Sequence, residues 1–317
     1  MNKIINKIKN SNKIGIAAHV SPDGDAVGSV ISFAEGLRSL GKDVTILSKD
    51  QVPSDFDFLS LYEEYNQNLQ FKDDLDILIA VDTANLDRLS VDLEKIKGIF
   101  LINIDHHISN DMYGDLNFVD GHAASASEIV YKFLRKLKVD ISKDMADALY
   151  TGIASDSGSF RFPSTSPETH LIVSEILKTG IDFSKIHRDL FGTKSFYELK
   201  VLGIALSSMS SFNDGETNIL SLSHDDMSLT DPINSDLGFI VNYGLMPKES
   251  EVAVLFKETS DGYKVSVRTK NYINASELCA EFGGGGHARA AGCFIKDHSL
   301  SDSKRMILEA IERIKKS

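Results

Sequence analysis

The chain is short of cysteine, short of positive charge and without a long apolar run. Of its 317 residues two are cysteines, Cys279 and Cys293. No secretory disulfide framework can be built from that pair, and the reading is two reduced, mostly buried thiols with no zinc site between them. Lys and Arg number 34 against 46 Asp and Glu, a formal net charge of -12. Such a surface makes a poor general binder of long duplex nucleic acid, which depends on many cationic contacts to phosphate. If the substrate is itself an anion, positive charge must be concentrated locally, and bound divalent metals would supply it. No apolar stretch is long enough to span a bilayer, so no membrane partner is expected. The N-terminal MNKIINKIKN lacks the apolar core and small-residue cleavage site of a signal peptide, so the expected location is cytoplasmic. No internal repeat or low-complexity tract interrupts the chain.

What remains is ordinary globular material, 42% hydrophobic and 25% charged, at a length that suits two domains of unequal size. In the first half short apolar runs alternate with amphipathic ones. Ile14–Ala18 and Val44–Leu47 read as strands around a helix from Ala26 to Leu40 that Gly41 ends. DILIAV (Asp76–Val81) and IFLINI (Ile99–Ile104) are apolar on both faces, as parallel strands covered by helices are. That alternation argues for an open α/β sheet. Helices follow: a capping box at Ser125–Glu128 opens one through Leu137, another runs from about Lys143 to Ala154, and Ser166-Pro167 starts a third that Gly180 closes. A helical pattern from about Thr193 to Met209 reads as an inter-domain connection. Beyond it, Asn218–Ser223, Glu251–Lys257 and the alternating Tyr263–Lys270 read as strands. A glycine-rich turn and an amphipathic helix near Asp302–Lys315 end the chain.

Acids and imidazoles gather just after the strands of the first half, where sites form in open α/β sheets. His19-Val-Ser-Pro-Asp23-Gly-Asp25 follows the first strand; its PDGD also reads as a turn with helix-capping aspartates. Asp82 follows DILIAV directly. Asp105-His106-His107 follows IFLINI, and Asp156 ends a helical run. Together His19, Asp23, Asp25, Asp82, His106 and Asp156 offer enough nitrogen and oxygen for two metals. A His/Asp set without cysteine favours manganese, magnesium, iron or cobalt over structural zinc. Two ions about 3.5–4 Å apart form the usual clamp for in-line attack on phosphorus, with Asp82 the natural bridge.

The order HxxxDxD, strand-end Asp, DHH and a later Asp resembles the DHH phosphoesterase superfamily. Phe282-Gly283-Gly284-Gly285-Gly286-His287, ending in Ala290-Ala291-Gly292, resembles the signature of the DHH-associated C-terminal domain, with VSVRTK upstream in the same pattern. The resemblance spans nearly the whole chain and implies a larger N-terminal parallel-sheet catalytic domain (1–192), a helical linker (193–212) and a smaller C-terminal α/β substrate-binding domain with a glycine-rich loop (213–317). It further implies that His19, Asp23 and Asp82 hold one metal, and that Asp25, Asp82, His106 and Asp156 hold the other. Mn2+ is the expected ion, with Mg2+ or Co2+ as alternatives. Asp105 would orient these ligands, and His107 would face the scissile phosphate. Arg268, Gly284, Gly285, Gly286 and His287 would grip a terminal phosphate or nucleotide. Relatives often carry Lys-Asn after this histidine; here Arg289 either replaces that charge or faces water.

Layout most resembles the branch that degrades oligoribonucleotides of two to five units and dephosphorylates 3'-phosphoadenosine 5'-phosphate (pAp). The expected partners are short RNA or small nucleotides, with a homodimer left open by the resemblance. Rival readings are a phosphodiesterase for pApA or cyclic di-AMP, a manganese-dependent pyrophosphatase, which the GGGGH segment argues against, and a non-catalytic nucleotide binder, which should have lost ligands that are all present here.

Overall fold

The computed structural model describes residues 1–67, 74–229 and 237–316. The chain divides into two compact units, Met1–Thr193 and Lys194–Ser317.

The first unit contains α1 (Asn2–Asn10), β1 (Lys13–Ala17), α2 (Gly24–Ser39), β2 (Asp43–Ile46), α3 (Tyr62–Gln67), β3 (Ile77–Val81), β4 (Phe100–Asp105), β5 (Leu116–Val119), α4 (Ala126–Lys136), α5 (Lys143–Asp156), α6 (Pro167–Leu177) and α7 (Phe183–His187). Five strands form an all-parallel sheet in the order β2-β1-β3-β4-β5. Alternate residues of β3 point to opposite faces. Ile77, Ile79 and Val81 join the core under the helices, whereas Leu78 and Ala80 join a second cluster. That second face departs from the expectation of helices on both sides. It packs against Leu89, Val91 and Ile96 from the irregular segment between β3 and β4. A continuous apolar run reports burial of both faces and is silent on what buries them.

Close approach of α2 and α5 rests on glycine. A Cβ added to Gly28 would lie 2.3 Å from the Ala148 carbonyl oxygen and 2.9 Å from Gly152 N; one on Gly152 would lie 2.0 Å from Ser127 Oγ of α4, which approaches α5 as closely. At α4 the expected capping box is half made. Ser125 Oγ accepts from Glu128 N at 3.0 Å, but the Glu128 carboxylate turns to Thr169 Oγ1 at 2.8 Å and Lys132 Nζ at 2.9 Å. A buried carboxylate takes the partners that neutralise it best. A full box occurs at α6, between Ser166 and Thr169.

The second unit contains α8 (Phe196–Ser207), β6 (Ser210–Phe212), β7 (Thr217–Leu222), α9 (His224–Met227), β8 (Val252–Thr259), β9 (Gly262–Thr269), α10 (Ala275–Ala280), β10 (Gly285–His287), β11 (Ala290–Lys296) and α11 (Leu300–Lys316). Its mixed sheet runs β10-β11-β9-β8-β7-β6, with only β7 and β8 parallel among these pairings. Val265 and Val267 of β9 pack with Leu278, Ile307 and Ile311 of α10 and α11. Helix α8, read from the sequence as a connection, is part of this unit's core: Val201, Leu202 and Ala205 pack with Leu220, Leu222 and Leu255. An amphipathic helix between two domains has one apolar stripe, and here the second sheet buries it.

Candidate metal centre

Strands β1, β3 and β4 lie side by side, so their carboxyl ends are neighbours. His19 and Asp23 lie between β1 and α2, Asp25 in the first turn of α2, Asp82 directly after β3, Asp105 at the end of β4, and Asp156 at the end of α5. The topology therefore gathers in space residues that are 137 positions apart from His19 to Asp156.

Two clusters meet at Asp82. On one side His19 Nε2 lies 3.7 Å from Asp23 Oδ1 and 3.6 Å from Asp82 Oδ2. On the other, His106 Nε2 lies 3.4 Å from Asp82 Oδ1, 3.2 Å from Asp156 Oδ2 and 3.9 Å from Asp25 Oδ2. Each carboxylate oxygen of Asp82 thus faces a different imidazole. Its Oδ1 is buried without a hydrogen-bond partner. An orphaned buried carboxylate oxygen is costly, about 1–3 kcal/mol or more when charged, unless something binds it. With ring nitrogens and carboxylates converging on it, the donor set fits hard or borderline divalent cations.

Local sequence explains how each acid is held. Asp23 caps α2: its Oδ1 accepts from Asp25 N at 3.0 Å and Ala26 N at 3.1 Å, and its side chain stays 57% exposed. The capping role and the cluster role of PDGD therefore coincide. Asp25 is turned inward, where Ala126 N donates to Oδ2 at 2.5 Å and Ser127 N to Oδ1 at 2.9 Å. These are the first amides of α4, whose dipole favours an anion. Gly152 leaves the space, since a Cβ there would meet Asp25 Oδ1 at 2.8 Å. Asp82 has φ +52°, a left-handed conformation rare outside glycine, asparagine and aspartate. Strain of about 1–3 kcal/mol at such a position persists only when the surroundings hold it. His19 Nδ1 contacts the Val20 carbonyl at 2.9 Å, which turns Nε2 toward the acids.

The acids reshape the titration of one another. Burial disfavours charge on His19, but Asp23 and Asp82 outweigh it and push the imidazole up to about 11. Burial is likewise overcome at His106, where Asp82, Asp25 and Asp156 raise it to about 10. Asp105 holds His107 above its ordinary value. Burial, then the charges of Asp82 and Asp156, raises Asp25. Asp156 is pushed up to about 6, chiefly by burial. Asp82 is buried too, yet the two imidazoles beside it bring it below its ordinary value. Without metal, protons on the imidazoles supply the positive charge this crowd of acids requires.

His107 and Asp105 adjoin the second cluster, with His107 Nδ1 3.7 Å from Asp82 Oδ1. His107 Nδ1 meets Asp105 Oδ1 at 2.8 Å. Behind them lie polar groups that no motif singled out, Thr83, Asn103, Asn110 and Tyr113. An asparagine three residues past the DHH carries no periodic or spacing signal, so only the folded loop reveals it. Equally unannounced are three consecutive left-handed residues after Asp156, namely Gly158, Ser159 and Phe160. Ser159 Oγ lies 2.7 Å from His187 Nε2.

In the second unit the antiparallel register sets His287, Ala290, Arg268 and Ala253 in one row across β10, β11, β9 and β8. His287 is described by its backbone alone. The glycine segment is more ordered than a turn. Gly285 and Gly286 pair in β10, and a Cβ on Gly284 would lie 2.2 Å from the Gly292 carbonyl oxygen. Gly286 has φ +148° and abuts Ala290 O and Ala291. Close packing on β11 requires glycine at 284 and 286, while a Cβ on Gly283 or Gly285 would meet nothing within 4 Å. Arg289 is exposed, as one reading of the sequence had it. Its guanidinium donates to the Ile273 carbonyl at 2.9 Å and to the Asn271 carbonyl, bracing the segment between β9 and α10.

Comparison with known proteins adds an independent line. Residues 13–153 match the DHH family, N-terminal domain, and residues 228–317 match the DHHA1 domain. The bifunctional oligoribonuclease and PAP phosphatase NrnA of Thermus thermophilus is 31% identical, the match covering 94% of this chain and 89% of that protein. The probable bifunctional oligoribonuclease and PAP phosphatase NrnA of Streptococcus mutans is 32% identical, with 96% of each covered. Among solved structures, an exopolyphosphatase-related protein from Bacteroides fragilis superposes with a TM-score of 0.90 at 28% identity, over 98% of this chain and 95% of that one.

Proposed function

The chain belongs to the DHH family of phosphoesterases, and from that membership we propose that it is a metal-dependent hydrolase that degrades oligoribonucleotides of two to five units to mononucleotides and dephosphorylates pAp to AMP. The observation that carries the reading is Asp82, whose two oxygens face two separate imidazole–carboxylate clusters at 3.6 and 3.4 Å. In this reading His19, Asp23 and Asp82 hold one divalent ion, and Asp25, Asp82, His106 and Asp156 hold the second, manganese in the first instance. Two such ions neutralise charge at phosphorus and lower the pKa of an attacking water.

The side chains of the protein do the rest. His107, with Nδ1 engaged by Asp105, presents its other ring nitrogen to the scissile phosphate. Arg268, His287 and the Gly284–Gly286 backbone bind the far phosphate or nucleotide. Arg289, exposed and anchored on two backbone carbonyls, adds positive charge beside that segment. Residues 1–192 form the catalytic part and 213–317 the substrate-binding part, with α8 packed on the latter. A net charge of -12 supports small anionic substrates bound at one charged spot over long duplexes. No described helix is long and apolar enough to cross a membrane, in keeping with action on soluble nucleotides in the cytoplasm.

The test is hydrolysis of pAp, pApA, a five-nucleotide RNA, cyclic di-AMP and pyrophosphate by protein stripped of metal and reloaded with manganese. Cleavage of pAp and short RNA is the expected result. Preference for pApA or cyclic di-AMP would move the enzyme to second-messenger turnover. Hydrolysis of pyrophosphate alone would overturn the assignment of the second unit.

A further inference from the structure

Behind the metal centre, the loop after β4 folds back on itself. Asn110 N donates to the His107 carbonyl at 3.1 Å, closing a turn that returns the Asn110 side chain beneath the histidines. There its Nδ2 lies 2.6 Å from Asp105 Oδ2, 2.9 Å from Asn103 Oδ1 and 3.2 Å from the Thr83 carbonyl. Its Oδ1 accepts from Met112 N at 2.7 Å, where the chain takes φ +55°. Asn103 Nδ2 reaches the Thr83 carbonyl at 3.1 Å and Tyr113 Oη at 3.0 Å, and Tyr113 donates to that carbonyl at 3.1 Å. Three side chains therefore converge on one carbonyl, that of the residue following the strained Asp82.

We propose that Asn110 is the positioning residue for His107. The inference rests on the phosphohydrolase reading of this site. Asp105 is fully buried. One oxygen takes His107 Nδ1 and the other takes Asn110 Nδ2, the shortest of the Asn110 contacts and a charge-assisted one. Remove the amide and the second oxygen loses this donor; the carboxylate is then free to rotate, and His107 loses its fixed orientation. Because the same amide reaches the Thr83 carbonyl, Asn110 ties the frame of His107 to the loop that carries Asp82. Asn103 and Tyr113 hold the same carbonyl, so the loop after β3 keeps its place without Asn110, and the contact with Asp105 is the one that Asn110 alone supplies among these three.

The experiment is a double-mutant cycle in the full-length, manganese-loaded protein with pAp as substrate. Asn110→Ala should lower kcat about 10- to 100-fold, the usual effect of losing an outer-shell partner, with KM and metal content unchanged. Combined with His107→Ala it should cost nothing beyond His107→Ala alone. Losses that multiply, an unchanged kcat, or loss of metal would each overturn the proposal. Asn110→Leu keeps the side-chain shape while removing the amide donors, and should show the same loss if the alanine variant folds poorly. A second readout needs no substrate. In the metal-free chain the ring 15N signals of His107, identified by their disappearance in His107→Ala, should shift in Asn110→Ala, and unchanged signals would sink the idea. If the wild type hydrolyses nothing, the phosphohydrolase reading falls, and the nuclear resonance result still decides the role of Asn110.

Discussion

The two clusters that share Asp82 are built by opposite means. Asp23 stands at a helix start with more than half its side chain exposed, whereas Asp25, two residues on, is 1% exposed and held by the first amides of another helix. Asp23 is held by a local turn, and Asp25 by packing of α2, α4 and α5 around its carboxylate. Neighbouring positions in one motif can thus carry very different structural debts. The exposed acid can be lost at the cost of a cap, while the buried one leaves amides without partners.

The largest effect should come from the residue the clusters share. Asp82→Ala removes a carboxylate from both, and loss of metal-based charge stabilisation worth about 4 kcal/mol corresponds to about 10³-fold or more in kcat. Manganese titration of the variant should show both ions weakened; loss of one alone would break the comparison at its centre.

Next comes the contrast between neighbours. Asp25→Ala strands two buried amides at about 1–3 kcal/mol each, and should lower the melting temperature clearly more than Asp23→Ala, which forfeits a cap worth about 1 kcal/mol. Equal destabilisation in thermal unfolding of the metal-free variants would show that burial does not separate the two sites.

Smaller again is the effect of Arg268→Gln in the second unit. Loss of one charge-assisted contact, about 1.5–3 kcal/mol, should raise KM for pAp roughly 10- to 100-fold and leave metal binding intact. A fall in kcat at constant KM would move Arg268 out of the substrate-binding role.

The smallest signal sharpens the symmetry of the two clusters. His19 at about 11 and His106 at about 10 both carry protons at pH 8 in the metal-free chain. Metal needs the neutral imidazole, so loading should release protons from both clusters and tighten as pH rises. Calorimetry in buffers of different ionisation enthalpy measures the number. The same shifts set the stability of the metal-free chain. Values raised above 6.5 contribute stability that is complete below that pH and is lost as pH climbs through about 10 to 11. Stability that rises with pH in that window would contradict the assignment.

The second unit compares differently with its sequence. Strand β9 was legible by its alternation, whereas β7 and β8 were legible as apolar runs, β8 being buried on both faces by two separate clusters. The glycine segment was legible as special, but for a partial reason. Gly284 and Gly286 are required by the approach of β11, a constraint that exists only once the strands pair. Arg289 carried a charge that suggested an anion, and only the fold reveals that it also donates to two carbonyls. In the first unit, the irregular segment that covers one face of the sheet could not be separated from a helix, because an apolar strand is indifferent to what covers it.

By itself the sequence determined the parallel sheet and which acids and imidazoles stand at its strand ends, since buried strands must be apolar and polar groups begin where those strands stop. Tertiary structure alone decided which oxygen of Asp82 faces which imidazole, that Asp25 is an inward partner of α4, and that Asn110 returns beneath Asp105. Those outcomes depend on strand order and on loops closing in three dimensions. A one-dimensional pattern records which groups are available, and only the packed chain fixes the few ångströms between them that chemistry requires.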